Sequence, residues 1–275
     1  YDSGIGDVTG NSASVSGSSV DGDVYGGLLD AQTGSVEDNH VDISAGTVGG
    51  SVYGGAFQYS SGTDSGTSDS LNNTVSLSEG TAVSGSVFGG YDSGIGDVTG
   101  NSVTVSGSSS VGGDVYGGMA KGNDDSNPGS ASQNSVRIES GSTVGGSVYG
   151  GWNSNGETSG NFIYVDGTVS KGVTAGYTLS GDAAGNEVLV EGGTVLKHLY
   201  GGYTALGSAT GNVITVKGGT VNAEIVGGYD DGTATNNTVT LYDSARFTGS
   251  DIYGGKSGGS SSDVFTGNTF NVYGQ

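Results

Sequence analysis

Cysteine is absent from the 275 residues, and proline occurs once, as Pro128. Without cysteine the chain cannot form disulfides, use a thiol nucleophile, or bind zinc or iron–sulfur clusters through thiolates. A single proline excludes a collagen triple helix, which needs frequent proline and a glycine at every third position. No apolar run approaches the length of a membrane-spanning helix, so we expect no direct membrane insertion of this chain.

Basic residues are scarce, since 7 lysines and arginines stand against 28 aspartates and glutamates, for a formal net charge of −21. Binding to nucleic acid depends largely on cationic side chains that neutralise phosphates. An anionic lipid surface repels an acidic chain for the same electrostatic reason. We therefore expect no nucleic-acid partner, and interpret the charge as favouring solubility.

Glycine, in contrast, is abundant, with 59 positions in the chain. Such a composition, with few large aliphatic residues, borders on that of disordered proteins. Internal repetition changes this interpretation. The segment YDSGIGDVTGNS at positions 1–12 recurs identically at 91–102, and a shorter unit recurs along the whole chain. Repetition of this kind predicts an ordered array of similar units.

An asparagine anchors each copy of the shorter unit, at intervals of 25 to 34 residues. The anchors are Asn11, Asn39, Asn73, Asn101, Asn134, Asn161, Asn186, Asn212, Asn237 and Asn268. Apolar residues stand two and four positions after every anchor, as Val41 and Ile43 do after Asn39. This alternation predicts a strand with one buried face.

Two more apolar positions follow in nine copies, and in seven of them the second precedes an aromatic–Gly–Gly signature such as Tyr116-Gly117-Gly118. The other two copies have Thr174-Ala175-Gly176 and Val226-Gly227-Gly228. Short strands separated by glycine-rich turns are typical of one coil of a β-solenoid. The sequence predicts an all-β parallel β-helix (β-solenoid) of about 9–10 coils of roughly 25–34 residues, with three short strands per coil. The arc before each anchor, whose length varies, is predicted to form loops.

Stacked coils would place the anchors in a structural ladder, with each side-chain amide donating to the next asparagine and to backbone carbonyls. Asparagine also tolerates the left-handed backbone conformation, so we expect the anchors to occupy sharp corners. Residues 1–275 are interpreted as a single β-solenoid domain. Because both ends fall inside the repeat, we expect this domain to be a fragment of a longer array.

Two runs, 185–195 and 211–221, followed by Tyr200-Gly201-Gly202 and Gly227-Gly228-Tyr229, resemble the Gly/Ser/Asn/Val-rich repeats of autotransporter adhesins, which are type V secretion passengers. The resemblance covers essentially the whole chain. It implies a right-handed β-helix that is displayed on, or released from, a Gram-negative cell. It also implies attachment to a host or self-association.

One column of acidic residues is the candidate for chemistry. Glu139, Asp166 and Glu191 stand five residues after consecutive anchors, and Lys217 follows them at the same position. Stacked about 4.8 Å apart at the backbone, these acids are a candidate metal site for a hard cation. The alternative is a solvated polar column with a Glu191–Lys217 ion pair. Apart from incidental Ca²⁺ in the acidic loops, we expect no cofactor.

Candidate binding residues lie where the repeat departs from its own pattern. The outward strand positions are mostly polar, but four apolar or aromatic residues occupy them on three consecutive coils. These four are Phe162, Tyr164, Leu189 and Val213. Stacking predicts that they form an exposed apolar patch, which is typical of an interaction surface. Cover by a neighbouring loop is the alternative.

Aromatic residues also follow the double glycine on consecutive coils. They are Trp152, Tyr177, Tyr203 and Tyr229. Such a column could stack on sugar rings or on a partner, or pack as an aromatic ladder. A third candidate binding rim is formed by Phe57 and Tyr59, at the start of one long variable arc.

Taken together, these patterns favour a non-enzymatic bacterial surface adhesin, whose shaft attaches to a host or to another cell through a surface protein or a glycan. We expect it to be extracellular, displayed at the Gram-negative outer membrane, and we assign no catalytic residue. Two alternatives remain open. One is a polysaccharide-active β-helix enzyme that uses the acidic column. The other is a structural spacer or self-association shaft without a ligand.

Overall fold

The strands of successive coils lie side by side and form four parallel β-sheets. The computed structural model describes residues 6–59, 68–122, 129–222, 224–248, 251–258 and 264–274. About nine coils follow one another, and these ranges contain strands and turns but no helix. The prediction of an all-β parallel β-solenoid is confirmed. No helix in the described part of the chain is long and apolar enough to cross a membrane.

The sheets are numbered in the order in which the chain visits them, and the anchor asparagine lies between sheets I and II. Sheet I contains Val8–Thr9, Gly34–Glu37, Ser68–Leu71, Val98–Thr99, Ala131–Ser132, Thr158–Ser159, Ala183–Ala184, Ser208–Thr210 and Thr233–Thr235. Sheet II contains Ser12–Ser16, His40–Ser44, Thr74–Ser78, Ser102–Val105, Ser135–Ile138, Phe162–Val165, Glu187–Val190, Val213–Val216, Thr238–Tyr242 and Thr269–Tyr273.

The second half of each coil supplies a two-residue strand and then the longer strand that carries the double glycine. Sheet III contains Ser19–Val20, Thr47–Val48, Ala82–Val83, Ser110–Val111, Thr143–Val144, Thr168–Val169, Thr194–Val195, Thr220–Val221 and Arg246–Phe247. Sheet IV contains Val24–Ala31, Val52–Tyr59, Val87–Asp92, Val115–Ala120, Val148–Asn153, Val173–Thr178, Leu199–Tyr203, Ile225–Asp230 and Ile252–Ser257.

A complete coil contributes one strand to each of the four sheets, which is roughly consistent with the prediction of three short strands per coil. The additional strand is that of sheet I. This strand lies in the variable arc, where the sequence analysis predicts only loops. Its inward position, three residues before the anchor, holds small or branched side chains such as Val36, Ser70 and Ala131, none of which is exposed. The strands of sheet I are only two to four residues long, which is too short for an alternating pattern to be recognised.

Sheets II, III and IV enclose the main core. In one coil Val41 and Ile43 from sheet II meet Val48 from sheet III and Val52 from sheet IV, and none is more than 1 % exposed. Burying each side chain contributes about 1.5–3 kcal/mol. Because this core is one coil wide, four aliphatic residues per coil fill it, and a glycine-rich chain can fold.

The anchor asparagines form a continuous ladder at the boundary between sheets I and II. At each step, the backbone N–H and the side-chain amide of one asparagine donate to Oδ1 of the asparagine in the next coil, at 2.8–3.1 Å. The amide also donates to a sheet I carbonyl of the preceding coil, as Asn134 does to Val98 at 2.8 Å. Eight asparagines, Asn39 through Asn237, are buried.

The double glycine of sheet IV is explained by this ladder. A Cβ on Gly118 would lie 2.5 Å from the side chain of Asn134. A Cβ on the preceding residue, Gly117, would lie 2.5 Å from the carbonyl oxygen of Gly150 in the next coil. Both distances are shorter than real Cβ contacts, so the ladder favours glycine at the second position and the carbonyl of the next coil favours glycine at the first. One coil nevertheless has Ala175 at the first position.

Left-handed corners occur one residue before each anchor. Asp38, Asn72, Gln133 and Asn236 have φ between 54° and 56°, and the other anchors are preceded by glycines with positive φ. The expectation that the anchors themselves take this conformation is wrong. Their side chains point inward from the strand start, which leaves the corner to the preceding residue.

A second, smaller interior lies between sheet I and the last part of sheet IV, and is called here the small compartment. At the N-terminal end it is apolar, with Leu29 and Phe57 packed on Val36 and Ala31. Later coils place mostly polar residues at the position of Leu29 and Phe57. The position is occupied in order by Leu29, Phe57, Asp92, Ala120, Asn153, Thr178, Thr204, Asp230 and Ser257.

Candidate functional site

The predicted apolar patch is assembled on the outer face of sheet II. The strand register pairs Tyr164 with Leu189, and places Glu187 between Phe162 and Val213. All four apolar or aromatic residues are half-buried. Equivalent positions in other coils carry polar residues, such as Ser102 and Thr104, Thr74 and Ser76, or Thr238 and Thr240. The patch is therefore a local departure from an otherwise polar face.

A cation borders this patch on its N-terminal side. The guanidinium carbon of Arg137 lies 4.1 Å from the ring centroid of Tyr164, and Arg137 donates to Glu139 from Nε and Nη2 at 2.9 and 2.7 Å. Desolvation, followed by the carboxylates of Asp166 and Glu139, raises the pKa of the Tyr164 hydroxyl, while Arg137 opposes the shift. The ring is thus neutral near pH 7 and presents an apolar surface beside a positive charge.

The acidic column runs along the edge of sheet II as the stacking predicts. Backbone hydrogen bonds connect Glu191 to Val165 and Lys217 to Val190, one coil at a time. Two of the three carboxylates are engaged with cations, however, since Glu191 pairs with Lys217 at 3.1 Å and Glu139 with Arg137 at 2.7 Å. Within the described ranges no three His, Cys, Asp or Glu side chains are grouped to hold a metal ion.

The predicted aromatic column lies on the outer face of sheet IV, where its rings stack on one another. Ring centroids are 5.9 Å apart between Trp152 and Tyr177, 4.9 Å between Tyr177 and Tyr203, and 5.0 Å between Tyr203 and Tyr229, with interplanar angles of 3–9°. Both faces of Tyr177 and of Tyr203 are thereby covered by neighbours. A sugar ring cannot lie on those faces without displacing a side chain.

A parallel column is formed by the aromatic residue before the double glycine. Tyr25, Tyr53, Phe88, Tyr116 and Tyr149 stack at centroid distances of 4.7–5.0 Å. The two columns touch edge to face, for example at 5.8 Å between Tyr149 and Tyr177. Burial, together with the nearby Asp23 carboxylate, raises the pKa of Tyr25 to about 12. Sheet IV is therefore covered by a self-packed aromatic layer.

Phe57 and Tyr59 pack against the interior of the solenoid and do not form the exposed binding rim that the sequence predicts. Phe57 is fully buried in the small compartment, so it is a core residue and not an exposed binding residue. Tyr59 packs against the same cluster, and its backbone N–H donates to Ser93 Oγ at 2.8 Å. The reason is that the strand Val52–Tyr59 continues past the double glycine and turns alternate side chains inward.

Polar residues of the small compartment are a feature that the sequence analysis missed. Thr178 Oγ1 donates to the carbonyl of Gly156 in the preceding coil and accepts from the N–H of Gly181, at 2.8 and 3.1 Å. Thr204 makes the same pair of bonds with Gly181 and Gly207, at 2.8 and 2.9 Å. The second residue after each double glycine could have indicated this feature in the sequence. Its side chain connects the following turn to the preceding coil by hydrogen bonds.

Asp92 is the charged member of this column in the N-terminal half. Its carboxylate accepts from the N–H groups of Gly94 and Gly96 and from Ser68 Oγ, at 2.6–3.2 Å. Burial raises the pKa of Asp92 to about 7, and these hydrogen bonds only partly oppose the shift. The group therefore titrates near neutral pH.

No protein-family model, no curated protein and no solved structure matches this chain.

Proposed function

We propose that this chain is a non-enzymatic shaft of a bacterial surface adhesin, which binds a protein or glycan of a host or of another cell. The observation that carries the proposal is the apolar patch of Phe162, Tyr164, Leu189 and Val213. Strand pairing collects these residues from three coils onto one flat face. A patch of this kind on a polar surface is typical of an interaction site.

The composition of the patch suits a partner surface that offers both apolar and acidic groups. Two aromatic rings supply rigid contact area at a low cost in side-chain entropy. Arg137, stacked on Tyr164, adds a cation at the edge of the patch, and arginine and tyrosine are enriched among residues that dominate binding energy.

The arrangement of the acids is the reason to prefer binding over polysaccharide cleavage. A glycosidase needs one free carboxylate and one protonated carboxyl group beside the scissile bond. Glu139 and Glu191 are both ion-paired on the outer surface. The self-packed aromatic layer likewise supports a structural role for sheet IV, with the ligand on sheet II.

Display outside the cell is part of the same proposal. The resemblance of the repeats to autotransporter adhesins supports it. The net charge of −21 and the lack of cysteine suit a chain that stays soluble at a bacterial surface.

The test replaces the patch by residues that the repeat itself uses at the same positions. The variant carries Phe162→Ser, Tyr164→Thr, Leu189→Thr and Val213→Thr, and a control carries His40→Thr and Asp42→Ser on the same face of sheet II. Beads coated with each protein are incubated with host cells, bacteria and a glycan array. We expect attachment by the parent and the control, and at least a tenfold loss in the patch variant with an unchanged circular dichroism spectrum.

Other results would overturn the proposal. Equal attachment by parent and patch variant would exclude this surface as the binding site. Depolymerisation of an acidic polysaccharide that is lost in Glu191→Gln would establish the enzyme alternative. Absence of any attachment, with oligomers in the ultracentrifuge that dissociate in the patch variant, would establish a self-associating shaft.

A further inference from the structure

A carboxylate interrupts the apolar patch at its centre. The strand register of sheet II places Glu187 directly between Phe162 and Val213. Leu189 lies two residues further along the same strand, and therefore on the same face. Glu187 is exposed, whereas these three neighbours are half-buried. Apolar side chains thus flank the carboxylate on three sides.

Glu187 lacks a counter-charge. Its side chain makes no hydrogen bond or ion pair with any part of the chain that the structure describes. The two basic side chains on this face are engaged elsewhere, since Arg137 donates to Glu139 and Lys217 pairs with Glu191. The apolar patch therefore contains one negative charge that the protein itself does not neutralise.

The equivalent position is not acidic in any other coil. Strand pairing aligns the first residue after every anchor in one column on the outer face of sheet II. The other members of this column are Ser12, His40, Thr74, Ser102, Ser135, Phe162, Val213, Thr238 and Thr269. The only carboxylate of the column thus occurs where the column becomes apolar, so the charge and the apolar residues belong to one surface.

A partner that covers the patch also removes water from Glu187. Desolvating a carboxylate without a counter-charge is costly, so Glu187 disfavours partners that are purely apolar at this point. A lysine or arginine facing Glu187 forms a charge-assisted hydrogen bond, and its aliphatic stem contacts the surrounding apolar side chains.

A glycan fits this surface less well than a protein does. Sugar hydroxyls could donate to Glu187, but Leu189 and Val213 are aliphatic and offer no ring on which a sugar could stack. The guanidinium of Arg137 lies 4.1 Å from the ring centroid of Tyr164 and covers one face of that ring. The side chains around Glu187 are therefore better suited to the apolar side chains of a protein.

We propose that the patch binds a protein surface on which a lysine or arginine is surrounded by apolar side chains, and that this cation pairs with Glu187. The inference rests on the proposed function and names the class of partner for the same site. The backbone groups of these strands are already paired with the coils on both sides, so the partner is recognised by side chains and not by addition of a strand. An acidic group of the partner that meets Arg137 lies at the edge of the contact.

The deciding variant is Glu187→Gln, which removes the charge and keeps the size of an exposed side chain, so the melting temperature should not change. The matched control, Asp42→Asn, removes an acid from the same face of sheet II, in a coil that has no apolar patch. A phage-displayed library of random peptides is depleted on the patch variant and then selected on the parent. The affinity of each surviving peptide is measured for the parent and both variants by biolayer interferometry.

The surviving peptides are expected to carry lysine or arginine beside aromatic or aliphatic residues. Their affinity should fall about tenfold or more for Glu187→Gln, because the cation of the peptide loses its partner, and stay unchanged for Asp42→Asn. Peptides without a cation, or peptides that bind Glu187→Gln as tightly as the parent, would overturn the proposal. A selection that yields no surviving peptide would also overturn it.

The bead assay separates this inference from the proposed function. Attachment of Glu187→Gln beads should be about tenfold weaker than that of the parent, and protease treatment of the target cells should abolish attachment of the parent. The inference is wrong, and the proposed function stands, if the patch variant loses attachment while Glu187→Gln keeps it. The same conclusion follows if periodate oxidation of the cell-surface glycans abolishes attachment and protease does not. Equal attachment by the parent and the patch variant contradicts the proposed function itself.

Discussion

The two interiors of the solenoid, separated by the asparagine ladder, follow different rules. The main core is aliphatic in every complete coil, as Val41, Ile43, Val48 and Val52 illustrate. The small compartment begins with Leu29 and Phe57 and continues with Asp, Asn and Thr. In the main core, side chains fill space, and any branched aliphatic residue of the right size suffices.

In the small compartment most buried polar side chains have hydrogen-bond partners, although Thr158 Oγ1 and Asp230 Oδ1 have none among the described residues. Its side chains cap turns of variable length, so they must supply a donor or an acceptor that fits the local backbone. Apolar side chains fill the compartment where the strand of sheet IV is long enough to close it, as in Val24–Ala31 and Val52–Tyr59. Strands of uniform length thus permit the apolar main core, whereas the turns of variable length beside the small compartment require polar side chains that pair with their backbone groups.

Disrupting the asparagine ladder between the two interiors should lower the free energy of unfolding more than any other change considered. Asn161→Ala deletes the acceptor of the backbone and amide N–H groups of Asn134, and the donor to Ala131 and Asn186. Several buried groups lose their partners at about 1–3 kcal/mol each, so we expect a loss of at least ~4 kcal/mol in urea denaturation. Faster amide hydrogen exchange should spread from this coil into both neighbours.

The control for the ladder is its first member. Asn11→Ala alters an exposed residue that, among the described residues, donates only to Asn39, and should cost at most ~1.5 kcal/mol. Equal losses of unfolding free energy in Asn161→Ala and Asn11→Ala would show that the buried asparagines contribute no more to stability than the exposed one.

An exchange of hydroxyl and methyl groups between the interiors should have an intermediate effect. Thr178→Val leaves Gly156 O and Gly181 N without their partner, and Val165→Thr puts a hydroxyl into the aliphatic core. Both are expected to lose about 1–3 kcal/mol of unfolding free energy. Thr143→Val, on an exposed position of sheet III, should change stability by less than ~0.5 kcal/mol. If Thr178→Val left the free energy of unfolding unchanged, the small compartment would require only a side chain of the right volume and no hydrogen bonds.

The last comparison concerns the dependence of stability on pH. Asp92 has a folded pKa of about 7 against a usual value of 3.8, so the folded chain holds a proton that the unfolded chain has lost between these values. Stability should therefore fall as pH rises from about 4 to about 7, by up to ~1.4 kcal/mol per pH unit. Asp92→Asn should remove this contribution from the slope of unfolding free energy against pH, and the exposed Asp243→Asn should retain it. An unchanged slope in Asp92→Asn would contradict the assignment.

Much of the fold could be predicted from the sequence because the repeat reports the same environment many times. The anchors, the alternation after them and the double glycine each recur at fixed offsets, so a weak signal becomes clear by repetition. The strand of sheet I was missed because it is short and lies in the arc of variable length. Phe57 was misplaced for a related reason, since a long arc gives no indication of where its strand ends.

The candidate site could likewise be predicted from the sequence only in part. Phe162, Tyr164, Leu189 and Val213 could be grouped in advance because equivalent positions stack from coil to coil. Arg137 was not placed with them, although the register sets it directly beside Tyr164. The caps of the small compartment were also missed, because their partners are backbone groups of the preceding coil that have no signature in the sequence.

The sequence by itself determined the coil, the ladder asparagines and the acidic, cysteine-free surface, since these follow from residue type and spacing. Only the tertiary structure decided that the residue before each anchor turns the corner, that the aromatic rings cover one another, and that Thr178 and Thr204 donate to a glycine carbonyl of the preceding coil. Each of these depends on atoms of two successive coils. Their distance is set by backbone pairing across 25 to 34 residues, which composition and periodicity do not describe.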